Sequence, residues 1–265
     1  MAGQRVRILV LGDVIGQPGC RALFVGLQSL IKNFKANGVI VNGENAFDGF
    51  GITPELADSL FSSGADVITT GNHVWQKKEI LPYLDSEPRI LRPANYPPDV
   101  PGHGTHVFET RGVRIGVLNL QGRERMSPLD CPFRKSRDIL RKLKGDSDAI
   151  IVDFHAEAAE EKEALGVYLD GDVSLVAGTH THIQTMDTKI LPKGTGYITD
   201  LGMIGPSEGV IGFSKTVSVR RSITQMPLKG EVASGVAVIQ GVVAEIDGDT
   251  GKTVSIERIN RLSLV

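Results

Sequence analysis

Residues 173–182 read VSLVAGTHTH, an apolar run that ends in two histidines one residue apart. The length and composition of residues 173–177 are typical of a buried strand. Side chains alternate between the two faces of a strand, so His180 and His182 should point to the same side if the backbone stays extended. Imidazole is the commonest protein ligand for metal ions, but histidine pairs also occur in ordinary loops. The pair therefore predicts a metal site only if other ligand-type side chains lie nearby.

Four other apolar runs, at residues 6–11, 39–41, 66–70 and 149–153, are also followed by polar side chains of the types that bind metal ions. Helical periodicity separates the first three runs, which predicts a β-α-β-α-β unit with a largely parallel sheet covered on both faces. The carboxyl ends of such strands meet at one edge of the sheet, where functional clefts form. The polar side chains that close these four runs are Asp13; Glu44 and Asn45; Asn72 and His73; and His155.

The rest of the chain completes an α/β fold that we predict to be a single domain over residues 1–265. Residues 105–109 and 113–118 read as a hairpin, and residues 79–84, 136–143 and 160–169 as helices. Beyond His182 the pattern becomes strand-like, with few helical signals and a turn-rich stretch at residues 200–215. We therefore expect a second, more antiparallel sheet to pack on the first. The strand-like segments beyond His182 are residues 189–191, 197–199, 236–246 and 253–259.

Composition restricts the class of protein. The chain has 265 residues, is 41% hydrophobic and 23% charged, and carries a formal net charge of −2. That balance is ordinary for a soluble protein and argues against a broad basic surface for duplex nucleic acid. The polar N-terminus, the absence of any run of about 20 apolar residues, and only two cysteines favour a cytoplasmic protein with free thiols and no membrane contact.

The strand-end residues form a metal-ligand inventory. Taken singly, an aspartate or asparagine there could serve a turn, a glutamate could pair with arginine, and a histidine could be a buried structural residue. Together, carboxylates, amides and imidazoles are what first-row divalent ions bind. Even seven of these eight residues are too many ligands for one ion with an open position, whereas a bridging carboxylate can hold two ions about 3.5–4 Å apart. Two such ions suit phosphate-ester hydrolysis; amide hydrolysis, the runner-up chemistry, normally uses more carboxylates.

Six motifs in this order resemble the YmdB-like branch of the calcineurin-like metallophosphoesterases. The resemblance implies a four-layer α/β/β/α sandwich of two mixed sheets flanked by helices. It also implies a di-iron or di-manganese centre and phosphodiesterase activity toward 2′,3′-cyclic nucleotides, together with general phosphatase activity. The motifs are GDVIGQPG (12–19), NGEN (42–45), GNHVW (71–75), FHAE (154–157), GTHTHIQT (178–185) and YITDLGMIGP (197–206).

The resemblance also implies a role for each ligand-type residue. One ion would be held by Asp13, Asn45 and His182. The other ion would be held by Asn72, His155 and His180. Glu44 would bridge the two ions, and His73 would be the catalytic acid.

The sequence departs from the family pattern in two places. Ile15 stands where the broader superfamily has a histidine two residues after its first aspartate, so that Asn45 would replace that ligand. Ala159 and Glu160 stand where threonine and serine are expected, which removes a hydroxyl near the ligands.

The function hypothesis is a metal-dependent phosphodiesterase or phosphatase in which a bridging water or hydroxide attacks phosphorus. The alternative is a regulatory nucleotide- or RNA-binding protein that uses the metal centre with little turnover. We expect a small phosphate ester, a cyclic nucleotide or an RNA end as the partner, and a homo-oligomer. The loop 121–133 and the turn-rich segment 202–213 should flank the cleft, with Arg125 as a bidentate phosphate contact.

Overall fold

Residues 4–263 of the protein are described by a computed structural model, so residues 1–3 of the polar N-terminus lie outside it. Within that range the chain forms thirteen strands and six helices. The strands are β1 (Arg5–Val14), β2 (Gly38–Asn42), β3 (Val67–Thr69), β4 (Ile90–Leu91), β5 (Thr105–Thr110), β6 (Val113–Gln121), β7 (Ala149–His155), β8 (Leu175–Thr179), β9 (Lys189–Ile190), β10 (Gly196–Ile198), β11 (Met203–Pro206), β12 (Ala237–Asp247) and β13 (Thr253–Leu262). The helices are α1 (Gly16–Phe34), α2 (Pro54–Ser63), α3 (Ile80–Ser86), α4 (Pro132–Asp146), α5 (Ala159–Tyr168) and α6 (Lys215–Thr224).

Two mixed sheets make up the centre of the fold. The first has seven strands in the order β13-β12-β11-β1-β2-β3-β4, and the second has six in the order β5-β6-β7-β8-β10-β9. Strands β1 to β4 are parallel to one another, and so are β6, β7, β8 and β10. The parallel strands of both sheets therefore carry the residues that the sequence placed at strand ends.

Four layers follow from the alternation of side chains along the strands. On β1, Leu9 and Leu11 pack against the layer of α1, α2 and α3, while Ile8 and Val10 pack against the second sheet. The outer face of the second sheet is covered by α4 and α5 in the same way. This arrangement confirms the predicted α/β/β/α sandwich. No helix within residues 4–263 is long and apolar enough to cross a membrane.

The C-terminal strands do not form the second sheet, contrary to the prediction. Strand β12 runs antiparallel to β1, with Arg5 opposite Asp247 and Leu11 opposite Gly241, and β13 pairs with β12. The chain thus returns to the first sheet and covers the edge of β1 that β2 leaves open. An open edge exposes unpaired backbone N–H and C=O groups, which the pairing satisfies. Side-chain alternation alone gives no information about which edge a strand joins.

Three further elements differ from the sequence interpretation. Helix α1 begins at Gly16 rather than at Arg21, because Pro18 lies in the first turn, where its missing N–H costs nothing. Strand β11 lies in the stretch 200–215 that was assigned to turns, and helix α6 lies between that stretch and the next predicted strand, at 236–246. Helix α6 is rich in β-branched residues and buries none of its side chains, so it lacks both the propensity and the periodicity that reveal a helix.

A buried ion pair joins α5 to the segment that follows β10. Lys162 Nζ lies 2.7 Å from Asp200 Oδ2, and both side chains are 1% exposed. The same carboxylate accepts hydrogen bonds from the backbone N–H groups of Thr181 and Gly202. Lys162 therefore fixes an aspartate that holds the chain between the two histidines of the opening motif.

We expect Lys162→Met to lower the free energy of unfolding by about 3–5 kcal/mol, because it leaves the Asp200 carboxylate buried without a partner charge. Lys189→Met is the control, since Lys189 pairs with Glu163 at side-chain exposures of 41% and 55%. An exposed pair contributes less than about 1 kcal/mol. Chemical denaturation of both variants makes the comparison, and equal losses would contradict the role of the buried pair.

Candidate metal centre

The carboxyl ends of five strands from both sheets meet in one place. Asp13 lies near the end of β1, the next pairs follow β2 and β3, His155 ends β7, and the last pair follows β8. All eight side chains are connected by contacts of 3.9 Å or less. The structure therefore brings together the residues Asp13, Glu44, Asn45, Asn72, His73, His155, His180 and His182.

The ring nitrogen Nε2 of His155 is the centre of the first group of donor atoms. Glu44 Oε1, Asn72 Oδ1 and His180 Nδ1 each lie 3.0 Å from it. A ring nitrogen carries one hydrogen at most, so three lone-pair atoms at this distance exceed what hydrogen bonding can satisfy. Donor atoms of Glu44, His155 and His180 lie within 4.8 Å of one another, which suits a common metal ion.

A second group lies on the other side of Glu44. Asn45 Nδ2 is 3.2 Å from Glu44 Oε1 and 3.1 Å from His182 Nε2. Asp13 Oδ1 lies 3.9 Å from His182 Nε2 and, within residues 4–263, is buried without a hydrogen-bond partner. A buried carboxylate oxygen without a partner is costly unless a cation satisfies it. Imidazole, carboxylate and amide donors without a thiolate fit first-row divalent ions such as iron or manganese.

Each of the three ligand-type histidines has its second ring nitrogen held by an oxygen acceptor. His155 Nδ1 lies 3.0 Å from Thr179 Oγ1, His180 Nε2 lies 3.2 Å from Glu157 Oε2, and His182 Nδ1 lies 3.0 Å from the Ile211 carbonyl oxygen. In a neutral imidazole, an N–H donated outward leaves the lone pair of the other nitrogen directed at the strand ends. This pairing is the arrangement that fixes the tautomer of metal-binding histidines.

Asp153 completes the support of His155. Its buried carboxylate accepts a hydrogen bond from Thr179 Oγ1 at 2.7 Å and others from Thr69 and from Asn42. Thr179 thus donates to Asp153 and accepts from His155. The sequence interpretation missed Asp153, Thr179 and Glu157, although a charged residue inside an otherwise apolar strand was a signal at Asp153.

The pKa shifts in the cluster follow from burial and from the interactions among its charged groups. Burial raises the pKa of Asp13 well above its usual range, helped by the nearby charge of Glu44. Burial alone would also raise the pKa of Glu44, but His155 and His73 hold it well below its usual range. Burial would lower the pKa of His155, but Glu44 and Asp13 raise it to about 9. Burial and the charge of His155 lower the pKa of His180 to about 3, so His180 presents a neutral imidazole.

The reason given for the His180–His182 pair was wrong, although both rings reach the cluster. Strand β8 ends at Thr179, and the backbone then turns through φ values of 101° at His180 and 64° at His182. Such left-handed conformations cost of order 1–3 kcal/mol for residues other than glycine and concentrate at functional sites. Here the backbone N–H of His180 donates to Asp13 Oδ2 at 3.1 Å, which holds the turn against the centre.

Gly71 is required by the approach of two chain segments at the centre. A Cβ atom at this position would lie 2.1 Å from Cδ2 of His155 and 2.4 Å from Glu44 Oε2. Any side chain here would displace the two groups on which the first donor cluster depends. The glycine of the GNHVW motif is therefore a steric requirement of the site.

His73 lies on the turn that follows strand β3. Its Nδ1 is 2.8 Å from Asn45 Oδ1 and 3.5 Å from Glu44 Oε1, whereas the neighbouring Asn72 contacts His155. The side chain of His73 is 24% exposed and forms part of a cavity wall. The two neighbours therefore reach different parts of the cluster, and His73 is the one on the open side.

A cavity of about 550 Å³ opens over the cluster. Its apolar wall includes Phe50, Ile183 and three residues of the turn-rich segment 202–213, and α6 closes the far side with Val217, Ser218, Arg221 and Ser222. Arg221 was missed because its helix was missed. The residues from the turn-rich segment are Val210, Ile211 and Phe213.

Arg125 does not line this cavity, and neither does any other residue of the loop 121–133. Arg125 is exposed, with a backbone φ of 58°. The loop is drawn toward α5, because the backbone N–H groups of Arg123 and Glu124 donate to the Glu161 carboxylate. The role of Arg125 in substrate binding stays a prediction.

The two departures from the family pattern have simple structural settings. Ile15 is fully buried against Met203 and Val238, so its position is part of an apolar cluster. Ala159 and Glu160 are the first two residues of helix α5, which begins after Ala158 without a side-chain cap.

Comparisons with known proteins show the family to which the chain belongs. The family model described as "YmdB-like protein" matches residues 9–259. The chain belongs to this family. A 2′,3′-cyclic-nucleotide 2′-phosphodiesterase of Bacillus subtilis is 46% identical to this chain over 254 residues, which cover 96% of each protein.

Solved structures of similar proteins share the fold. The crystal structure of a hypothetical protein from Thermus thermophilus superposes with a TM-score of 0.92 at 38% identity, over 97% of this chain and 100% of the other. The crystal structure of a phosphatase from Mycoplasma pneumoniae gives a TM-score of 0.92 at 35% identity, over 98% of this chain and 94% of the other. These matches confirm the metallophosphoesterase fold and a hydrolytic phosphoesterase as the class of enzyme.

We expect Thr179→Val to lower the affinity for Mn²⁺ about 10–100-fold, because His155 loses the acceptor that fixes its tautomer. Thr195→Val is the control: its buried hydroxyl also donates a hydrogen bond, to the Val173 carbonyl oxygen at 2.6 Å, away from the cluster. Competition with a chelator of known affinity measures both variants. Normal Mn²⁺ affinity in Thr179→Val, or equal loss in the control, would contradict this role.

Proposed function

We propose that this protein is a metal-dependent phosphodiesterase that hydrolyses 2′,3′-cyclic nucleotides and also has phosphatase activity. The observation that carries the proposal is a set of three histidines whose outer nitrogens are held by oxygen acceptors. The inner nitrogens of His155 and His182 face the buried carboxylates of Glu44 and Asp13, and the inner nitrogen of His180 faces His155. That set is a metal centre at the floor of an open cavity. The name of the Bacillus subtilis relative supports the choice of substrate.

The proposed centre holds two ions, with iron or manganese as the metals that suit its ligands. Asn72, His155 and His180 would hold one ion, and Asp13, Asn45 and His182 the other. Glu44 would bridge them, since its Oε1 lies between His155 and Asn45. When bound, two divalent cations neutralise the phosphate and activate water for attack on phosphorus.

The residues of the chain itself supply orientation and a proton. The cavity walls place the phosphate over the strand ends, and Phe50 and Phe213 offer apolar ring surface to the nucleoside. His73, on the open side of the cluster, would donate a proton to the leaving 2′- or 3′-oxygen. General acid catalysis of this kind contributes roughly 10²–10⁴-fold to the rate.

The proposal includes the domain organisation, the cellular location and the oligomeric state of the protein. Residues 1–265 would form a single catalytic domain that acts in the cytoplasm as a homo-oligomer, on a small phosphate ester, a cyclic nucleotide or an RNA end. The free thiols of Cys20 and Cys131 agree with a reducing compartment. Apolar side chains exposed on and after α6, among them Val219, Ile223 and Met226, agree with contact between copies of the chain.

Removal and return of the metal test the proposed function. Dialysis against a chelator should abolish hydrolysis of 2′,3′-cyclic AMP, and Mn²⁺ or Fe²⁺ should restore it. Metal content should reach about two ions per chain as activity returns. Hydrolysis that survives complete depletion would refute a metal-dependent reaction, and tight nucleotide binding without turnover would favour the regulatory alternative.

We expect His73→Ala to retain metal while kcat for 2′,3′-cyclic AMP falls at least 10²-fold. The loss should be much smaller for bis-nitrophenyl phosphate, because nitrophenolate leaves without a proton. His103→Ala is the control, since His103 is exposed and lies outside the cavity. Loss of metal would make His73 a ligand, and equal losses on both substrates would exclude its role as an acid.

A further inference from the structure

A second cavity adjoins the metal cavity and continues it across the surface. Its volume is about 410 Å³, and it shares Phe50, Arg221 and Gly230 with the larger cavity. Phe50 stands at the junction, with its ring edge-on to His73 at a centroid distance of 5.2 Å. We call this second cavity the basic groove; its other lining residues are Phe47, Asp48, Gln76, Lys77, Leu228 and Lys229.

Positive charge is concentrated in the basic groove. Lys77, Lys229 and Arg221 line it together with one acid, Asp48, although the whole chain has a net charge of −2. Within residues 4–263 none of the three cationic side chains forms an ion pair. The Lys77 ammonium lies 3.8 Å from the centroid of the Phe47 ring, so the groove combines cations with aromatic surface.

Cations beside aromatic rings are the surface that single-stranded nucleic acid recognises. Phosphates bind the cations, and bases stack on the rings without regard to sequence. A cyclic mononucleotide carries one phosphate and needs only the metal cavity. The unpaired cations of the groove therefore indicate a substrate with further phosphates on the side away from the cyclic one.

We propose that the basic groove holds the 3′ segment of a single-stranded RNA whose terminal 2′,3′-cyclic phosphate lies in the metal cavity. This inference rests on the proposed function. A 2′,3′-cyclic phosphate can stand only at a 3′ end, so the rest of the RNA must leave the metal cavity from its 5′ side, through an opening such as the groove. DNA is excluded as the source because it lacks the 2′-hydroxyl that forms the ring.

The chemistry places the reaction after a cleavage of RNA by transesterification. In such a cleavage a 2′-hydroxyl gives up its proton and attacks the adjacent phosphorus, the bond to the next 5′-oxygen breaks, and that oxygen takes a proton. A cyclic phosphate remains at the new 3′ end. Here water adds to phosphorus, one of the two ring ester bonds breaks, and the freed oxygen takes a proton. The product is an RNA with a terminal phosphate monoester.

The first test compares three substrates with the metal-loaded protein: adenosine 2′,3′-cyclic phosphate, its 5′-phosphorylated form, and a tetranucleotide ending in the same cyclic phosphate. We expect kcat/KM for the tetranucleotide to exceed that of the mononucleotide at least tenfold. Equal values for these two would refute the inference but leave the proposed function standing. If kcat/KM for the 5′-phosphorylated mononucleotide equals that for the tetranucleotide, the groove holds a single phosphate and no RNA segment, which would refute the inference. Failure to hydrolyse the mononucleotide would instead refute the proposed function.

The second test changes the charge of the basic groove. Lys77→Gln combined with Lys229→Gln should lower the ratio of tetranucleotide to mononucleotide kcat/KM at least fivefold. Lys78→Gln combined with Arg220→Gln is the matched control, since it removes the same charge from neighbouring positions that do not line the groove. The control should leave both rates unchanged. An equal fall of the ratio in the control would show that the effect comes from net charge and would refute a role for the basic groove.

A binding measurement provides a readout that does not depend on turnover. Fluorescence anisotropy of a labelled tetranucleotide with a terminal 3′-phosphate should show weaker binding by the groove variant than by the control. The slope of log Kd against log salt should also be smaller, by about 0.7 for each phosphate that the variant no longer binds. Identical affinities and slopes would overturn the proposal.

Discussion

Glu44 and His155 come from different sheets, and their fully buried side chains meet with Oε1 of one 3.0 Å from Nε2 of the other. A buried carboxylate is costly unless it is paired and hydrogen-bonded, and breaking such a pair costs about 3–5 kcal/mol. The surroundings supply the compensation: the His73 backbone N–H donates to Glu44, and Thr179 fixes the ring of His155. Because the pair joins the carboxyl edges of two sheets, it also fixes the position of the cleft between them.

Much of the fold could be predicted from local pattern because the parallel strands are apolar, short and separated by clear helices. The return of β12 to β1 could not be predicted, since strand pairing depends on long-range contacts about which the alternation of side chains gives no information. Helix α6 could not be found because it buries nothing, and its residues have poor helix propensity. It is nevertheless the element that closes the cavity and carries Arg221.

The candidate site shows the same division between local and long-range information. The residue types at strand ends were enough to predict which side chains meet, because the ends of parallel strands converge. The orientations of these side chains could not be predicted in the same way, since His180 and His182 adopt left-handed backbone conformations that no pattern of apolar residues reveals. Asp153 was passed over as the last residue of a strand, although its contacts with Thr179, Thr69 and Asn42 support the centre.

The function follows from how charge is distributed around the buried pair. Two buried carboxylates and the inward-facing imidazoles form a binding site for cations, and bound cations would attract a phosphate. The basic groove continues this phosphate-binding region and suits a longer anion. The chain is slightly acidic as a whole, so attraction of phosphates is local rather than a property of the entire surface. This locality distinguishes a cleft enzyme from a protein that binds duplex nucleic acid.

The most direct test of the two-ion centre is an anomalous difference map from crystals of protein purified without chelators, recorded on both sides of the iron and manganese absorption edges. Two peaks are expected, about 3.5–4 Å apart. One peak should lie among Asn72, His155 and His180, the other among Asp13, Asn45 and His182, with Glu44 between them. A single peak, or two peaks that do not share Glu44, would contradict the bridging arrangement on which the proposed chemistry rests.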